Sequence, residues 1–118
     1  MRLLLDTHVL LWSTAEPERL SGATSAALLS DDNDVVVSAA SIWEIAVKRG
    51  MGRLSFPLEE LDSIMAQAGF GLLDVTSVHA IEAGGLPLHH RDPFDRMLIA
   101  QARVEELILV TDDRVLAA

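Results

Sequence analysis

No cysteine occurs anywhere in the 118 residues, which excludes a disulfide framework, a thiolate metal site and a cysteine nucleophile. No apolar run approaches the roughly 18 residues of a membrane-spanning helix, so no membrane association is expected. The first five residues imitate the start of a signal peptide, but Asp6 and His8 interrupt what would be its apolar core, and that reading is rejected. A cytoplasmic location fits. Basic residues are scarce: Lys and Arg number 9 against 18 Asp and Glu, for a formal net charge of −9. That argues against broad, nonspecific binding to nucleic acid, which depends on basic surface. It does not exclude a metal-dependent enzyme in which bound cations offset the acids locally, and it suits a basic protein partner. There is no phosphate-binding loop, no Gly-x-Gly-x-x-Gly and no Gly-x-Ser-x-Gly elbow. Repeats, low-complexity tracts and linkers are also missing. Half of the residues are hydrophobic and the mean hydropathy is +0.31, ample for one packed domain over residues 1–118.

The chain is organised around its first eight residues. Leu3-Leu4-Leu5 runs straight into Asp6, and Val9-Leu10-Leu11-Trp12 resumes the apolar run. An unpartnered buried carboxylate costs roughly several kcal/mol, so Asp6 either caps a helix or sits at a site that uses its charge. Residues 2–5 read as a short buried strand and 9–15 as a helix capped by Asp6 or Thr7. A helix follows over 21–30. Val35-Val36-Val37 is a β-branched strand, and Ser38 caps a helix over 39–49, with Gly50 at its C-terminal cap. After a loop at 51–57 come a helix over 58–68 ended by Gly69, a third strand within 70–75, and a short helix over 77–83. Asp92-Pro93 is a helix entrance leading to about 103 or 104. Residues 107–110 form the last strand, followed by Thr111-Asp112-Asp113. Alternating strands and helices predict a three-layer α/β/α fold with a mostly parallel sheet. Ligands of such sheets bind outside the carboxyl ends of the strands, so the segments bearing Asp6, Glu44 and Asp112-Asp113 should open on one edge.

Each acid also has an ordinary explanation. Asp6 is a preferred N-cap residue. Glu44 is placed to form an exposed i, i+4 pair with Lys48. Asp95 lies in the first turn of its helix, where acids suit the dipole, yet Leu98, Ile99 and Ala102 place it on an apolar stripe. Asp92 is a cap first and a ligand second. Ser38 and Thr111 can hold a carboxylate or water by their hydroxyls, or simply be turn residues. Taken together, acids at several sheet-edge positions suit an oxygen-ligated Mg²⁺ or Mn²⁺. His89-His90 is a weaker candidate for a transition metal. His8 and His79 read as polar packing, and Trp12 and Trp43 as core.

Four stretches carry a family resemblance: Leu-Leu-Leu-Asp-Thr-His at 3–8, Ser-Ala-Ala-Ser-Ile-Trp-Glu-Ile-Ala-Val-Lys at 38–48, His-Arg-Asp-Pro-Phe-Asp-Arg-Met-Leu-Ile-Ala-Gln-Ala at 90–102 and Leu-Val-Thr-Asp-Asp at 109–113. In that order and rough spacing they resemble PIN-domain endoribonucleases, and more narrowly the VapC-type toxins of bacterial toxin–antitoxin pairs. The resemblance spans essentially the whole chain. It implies that Asp6, Glu44, Asp95 and Asp113 are the catalytic, metal-holding acids, with Asp113 selected over Asp112 by a Thr-x-Asp pattern. Thr7, Ser38 and Thr111 are placed beside them as supporting residues. It implies hydrolysis of RNA to 5′-phosphate and 3′-hydroxyl ends with Mg²⁺ or Mn²⁺, a homodimer, and a cognate antitoxin that covers the acidic pocket with a basic side chain. Lys48, Arg49 and Arg96 are the candidates for the RNA backbone, although Arg96 can instead pair with Asp92. Similar chains continue into a glycine-containing turn and a last strand, so the sheet is expected to lack its final edge strand here. Two other readings stay open: a magnesium phosphatase with Asp6 as nucleophile, whose usual second Asp is replaced by His8, and a non-catalytic metal- or partner-binding module.

Overall fold

The three leucines before Asp6 are completely buried, as a central strand of a sheet covered on both faces requires. In the computed structural model, which describes residues 1–87 and 92–111 and the backbone of 114–117, they form β1 (Arg2–Leu5). It lies between β2 (Asp34–Ser38) and β4 (Ile108–Thr111), parallel to both. The short β3 (Gly71–Leu73) pairs in parallel with the outer side of β2. The order is β3-β2-β1-β4-β5, where β5 (Arg114–Ala117) runs antiparallel to β4. A final edge strand is therefore present, against expectation, paired antiparallel with β4.

Alternation along the strands divides the core in two. Leu3, Leu5, Val35, Val37 and Val110 face one side, with Val9, Leu10 and Ile45 from α1 (Thr7–Ala15) and α3 (Ala39–Gly50) packed on them. Leu4 and Leu109 face the other, against Leu98 and Ala102 of α6 (Pro93–Glu105). The first layer also holds α2 (Gly22–Leu29) and α4 (Leu61–Ala68), and α5 (Ser77–Gly84) packs on α6. No described helix is long and apolar enough to cross a membrane.

The local signals act mostly as their chemistry dictates. Asp6, Ser21, Ser38, Thr76 and Asp92 each accept a backbone N–H at a helix start. Gly69 closes α4 in the left-handed region at φ 75°. Four expectations shift. Gly50 is the last residue of α3 and the cap is Met51. The third strand is only three residues long, and helix 58–68 begins as a 3₁₀ turn at Leu58–Glu60. Trp43, expected in the core, is 62% exposed, with Phe94 meeting it edge-to-face at 5.0 Å.

Candidate active site

The carboxyl ends of β1, β2 and β4 open on one edge, and β1 stands at the point where connections leave to either side. Such a point leaves a crevice above the sheet. A cleft of about 330 Å³ lies there, lined by Asp6, Thr7, His8, Glu44, Lys48, Asp92, Asp95, Leu98, Ile99, Leu109 and Thr111. Segments far apart in sequence thus deliver four carboxylates to one place.

Asp6 extends the ladder by donating its backbone N–H to Val110 O at 2.9 Å. Its Oδ1 accepts the Val9 N–H at 2.8 Å. The cap and the cleft position are therefore one placement. Glu44 is buried at 4% exposure, unlike the exposed pair expected from spacing alone. Thr7 Oγ1 donates to its Oε1 and Lys48 Nζ to its Oε2, both at 2.6 Å. Ser41, one turn before Glu44 and almost fully buried, hydrogen-bonds Thr7 at 3.1 Å. Each carboxylate oxygen has a second lone pair, so these bonds orient Glu44 and leave capacity toward the cleft.

Asp95 sits in the first turn of α6, where Asp92 caps the backbone N–H groups of Phe94 and Asp95 at 2.8 and 3.2 Å. Partial burial pushes the Asp95 carboxyl above the ordinary aspartate range, and the Asp92 and Glu44 carboxylates add to the shift. His8 and Lys48 oppose it. This uncompensated negative charge is what a divalent cation relieves, and the oxygen-only donors, including the Thr111 hydroxyl, suit Mg²⁺ or Mn²⁺. Among the described residues no three acid or imidazole groups converge tightly enough to enclose an ion. They fit a cation held partly through water, the usual habit of Mg²⁺.

Asp113, Asp112 and His89-His90 lie outside the described residues. Thr7 and Thr111 reach the cleft, whereas Ser38 is fully buried and bonds the Ala40 N–H at 2.9 Å. Lys48 borders the cleft; Arg49 instead pairs with Glu59 at 3.0 Å. Arg96 turns away from the cleft and donates to the carbonyls of Ala83, Gly84, Leu86 and Pro87 at 2.7–3.4 Å, holding the end of α5. Two residues escaped the sequence reading. His8 belongs to the cleft rather than to polar packing, and its place two residues after Asp6 was the available signal. Ser41 shares the helix face of Glu44 three residues on. His79 is polar packing as expected: it is buried, its Nδ1 accepts the Thr76 N–H at 3.0 Å, and its Nε2 meets Glu105 at 2.8 Å.

Comparison with known proteins places the chain in a family. The family model described as PIN domain matches residues 3–118. Ribonuclease VapC22 of Mycobacterium tuberculosis (strain ATCC 25618 / H37Rv) is 35% identical over 114 residues, covering 95% of this chain and 87% of that protein. The crystal structure of VapBC2 from Rickettsia felis bound to a DNA fragment from their promoter contains a similar chain. Its TM-score is 0.67 at 19% identity, over 94% of this chain and 87% of that one. A toxin–antitoxin complex from Klebsiella pneumoniae gives a TM-score of 0.62 at 17% identity, over 92% and 84%. These solved structures share the fold.

Proposed function

This chain belongs to the PIN-domain family, and on that footing we propose that it is a divalent-metal-dependent endoribonuclease, the toxin of a toxin–antitoxin pair. The observation that carries the reading is the cleft in which Asp6, Glu44 and Asp95 meet at the switch point of a parallel sheet. A ribonuclease relative that is similar over nearly the whole chain supports the same chemistry.

Asp6, Glu44 and Asp95, joined by Asp113, are the residues that would hold Mg²⁺ or Mn²⁺. Such an ion lowers the pKa of its water and takes up charge developing on the phosphate. Thr7 and Lys48 fix the Glu44 carboxylate at both oxygens, so its direction is set before substrate arrives. Asp95, crowded by the Asp92 and Glu44 carboxylates, is a carboxylate whose charge a bound cation would offset. Lys48, at the border of the cleft, meets the scissile phosphate or its neighbour.

A cognate antitoxin completes the reading. The relatives of known structure include toxin–antitoxin complexes, and a net charge of −9 with an acidic cleft favours a basic inhibitory segment. Two copies of the chain meet through the face of α3 and α5. Trp43 on α3 borders an apolar hollow of about 380 Å³ and is 62% exposed, and Val78 and Ile81 on α5 are 57% and 76% exposed; exposed apolar side chains of this kind mark an association surface. The site of action is the cytoplasm.

The test is incubation of total RNA with and without Mn²⁺, followed by sequencing of the cleavage ends. Metal-dependent cuts with 5′-phosphates are expected, and Asp6→Asn should abolish them while the chain stays folded. Cleavage at full rate in EDTA would overturn the mechanism. A melting temperature that rises with Mg²⁺ while no RNA is cut would favour a binding module instead.

A further inference from the structure

The acidic cleft continues into a second, larger groove of about 640 Å³ with which it shares Thr7, His8, Glu44 and Lys48. From there one wall is a single face of α1, formed by Leu11, Trp12 and Ala15, and the other is the 53–56 segment after α3. Arg19 and Glu16 stand at its end.

The chemistry changes along the way. Four carboxylates line the cleft, but the groove carries Arg19, Lys48 and Arg53 with only two acids, Glu44 and Glu16. Lys48 bonds one of these acids and Arg19 the other, at 2.6 and 3.1 Å. The exposed Arg53 side chain has no ion-pair or hydrogen-bond partner among the described residues. The same groove holds a cluster of planar groups: the Arg19 guanidinium lies over the Trp12 ring, 4.5 Å from its centroid, and the His8 ring is tilted by 47° to the same indole at 6.0 Å. The apolar lining, Leu11, Leu54 and Phe56, is packed into the main core and forms a floor rather than open holes for a partner's side chains.

We infer that this groove seats the single-stranded RNA flanking the scissile bond, with Arg53 on a backbone phosphate and the His8, Trp12 and Arg19 planar groups against a base. Planar aromatic and guanidinium surfaces are sequence-tolerant stacking platforms. An unpaired cation in the same groove supplies a phosphate contact beyond that of Lys48. The inference rests on the nuclease reading for its direction, since the groove is useful to the reaction only because it opens into the acidic cleft.

The probe is a fluorescein-labelled, 4-thiouridine-containing single-stranded oligoribonucleotide, bound to full-length Asp6→Asn protein with and without Arg53→Glu. Arg53 is exposed on a loop, and melting temperatures check that both proteins are folded. Arg53→Glu should weaken binding about tenfold and make the slope of log affinity against log salt shallower by roughly one. Photo-crosslinks should map to His8 or Trp12. With Asp6 intact, Arg53→Glu should raise KM for the RNA cut in the Mn²⁺ assay and leave kcat unchanged. Unchanged affinity together with crosslinks elsewhere would overturn the groove. So would RNA affinity that holds while binding of the cognate antitoxin is lost, because the groove would then seat protein. The two proposals fail separately: cleavage with an unaltered KM removes the groove and leaves the nuclease, whereas groove binding without metal-dependent cleavage does the reverse.

Discussion

Asp95 shows the conflict between folding and chemistry at the scale of one residue. Partial burial and the Asp92 and Glu44 carboxylates raise its pKa in the folded chain. The folded state therefore binds more protons than the unfolded state between the ordinary aspartate range and the raised value, and stability falls as pH climbs through that interval. Above it, the metal-free protein carries a charge it would be better without. Asp95→Asn should raise the melting temperature in EDTA at neutral pH, modestly because the residue is exposed enough for solvent to screen it. It should flatten the acid-side stability profile and abolish cleavage. A thermal scan from pH 4 to 8 checks this, and a lower melting temperature for the variant at neutral pH would contradict it. Mg²⁺ should stabilise the parent more than the variant, since ligand binding to the folded state adds stability in proportion to occupancy.

At the scale of elements, the helix starts were legible because caps are local chemistry. Asp6, Ser38 and Asp92 are short acceptors placed directly before helical segments, and each caps as read. What the sequence did not expose was side-chain destination across elements. Arg96 reads as an RNA-backbone candidate or a partner for Asp92, but the carbonyls it meets belong to residues 83–87, and only the docking of α5 on α6 brings them together. Trp43 fits an apolar helix as core, and its exposure follows from which face of α3 the sheet covers. Glu44 has Lys48 as its visible neighbour, whereas the bond from Thr7 requires β1 and α3 to be in place. Arg96→Gln should cost about 1–3 kcal/mol, the scale of lost charge-assisted hydrogen bonds, by loosening the end of α5. Urea unfolding measures that loss. KM for RNA should change far less, and a large rise in KM with unaltered stability would return Arg96 to the substrate path.

For the whole molecule, the apolar face of α3 and α5 bears on assembly. Ile81→Glu places a carboxylate at the most exposed of these large apolar residues, so on the proposed dimer the variant should run as a monomer in light scattering at concentrations where the parent associates, with folding unharmed. A dimer that survives the change would move the interface elsewhere. The strand order also bears on how the molecule is made. The ribosome delivers β1 first, yet one of its two neighbours in the sheet is β4, which appears nearly the whole chain later. The leucines at its centre cannot be fully covered until then, the situation of high contact order in which folding is slow and exposed to aggregation. Thr111 arrives with the same late strand. A nascent chain thus holds Asp6 from the outset but has no finished cleft until β4 brings Thr111 to its edge.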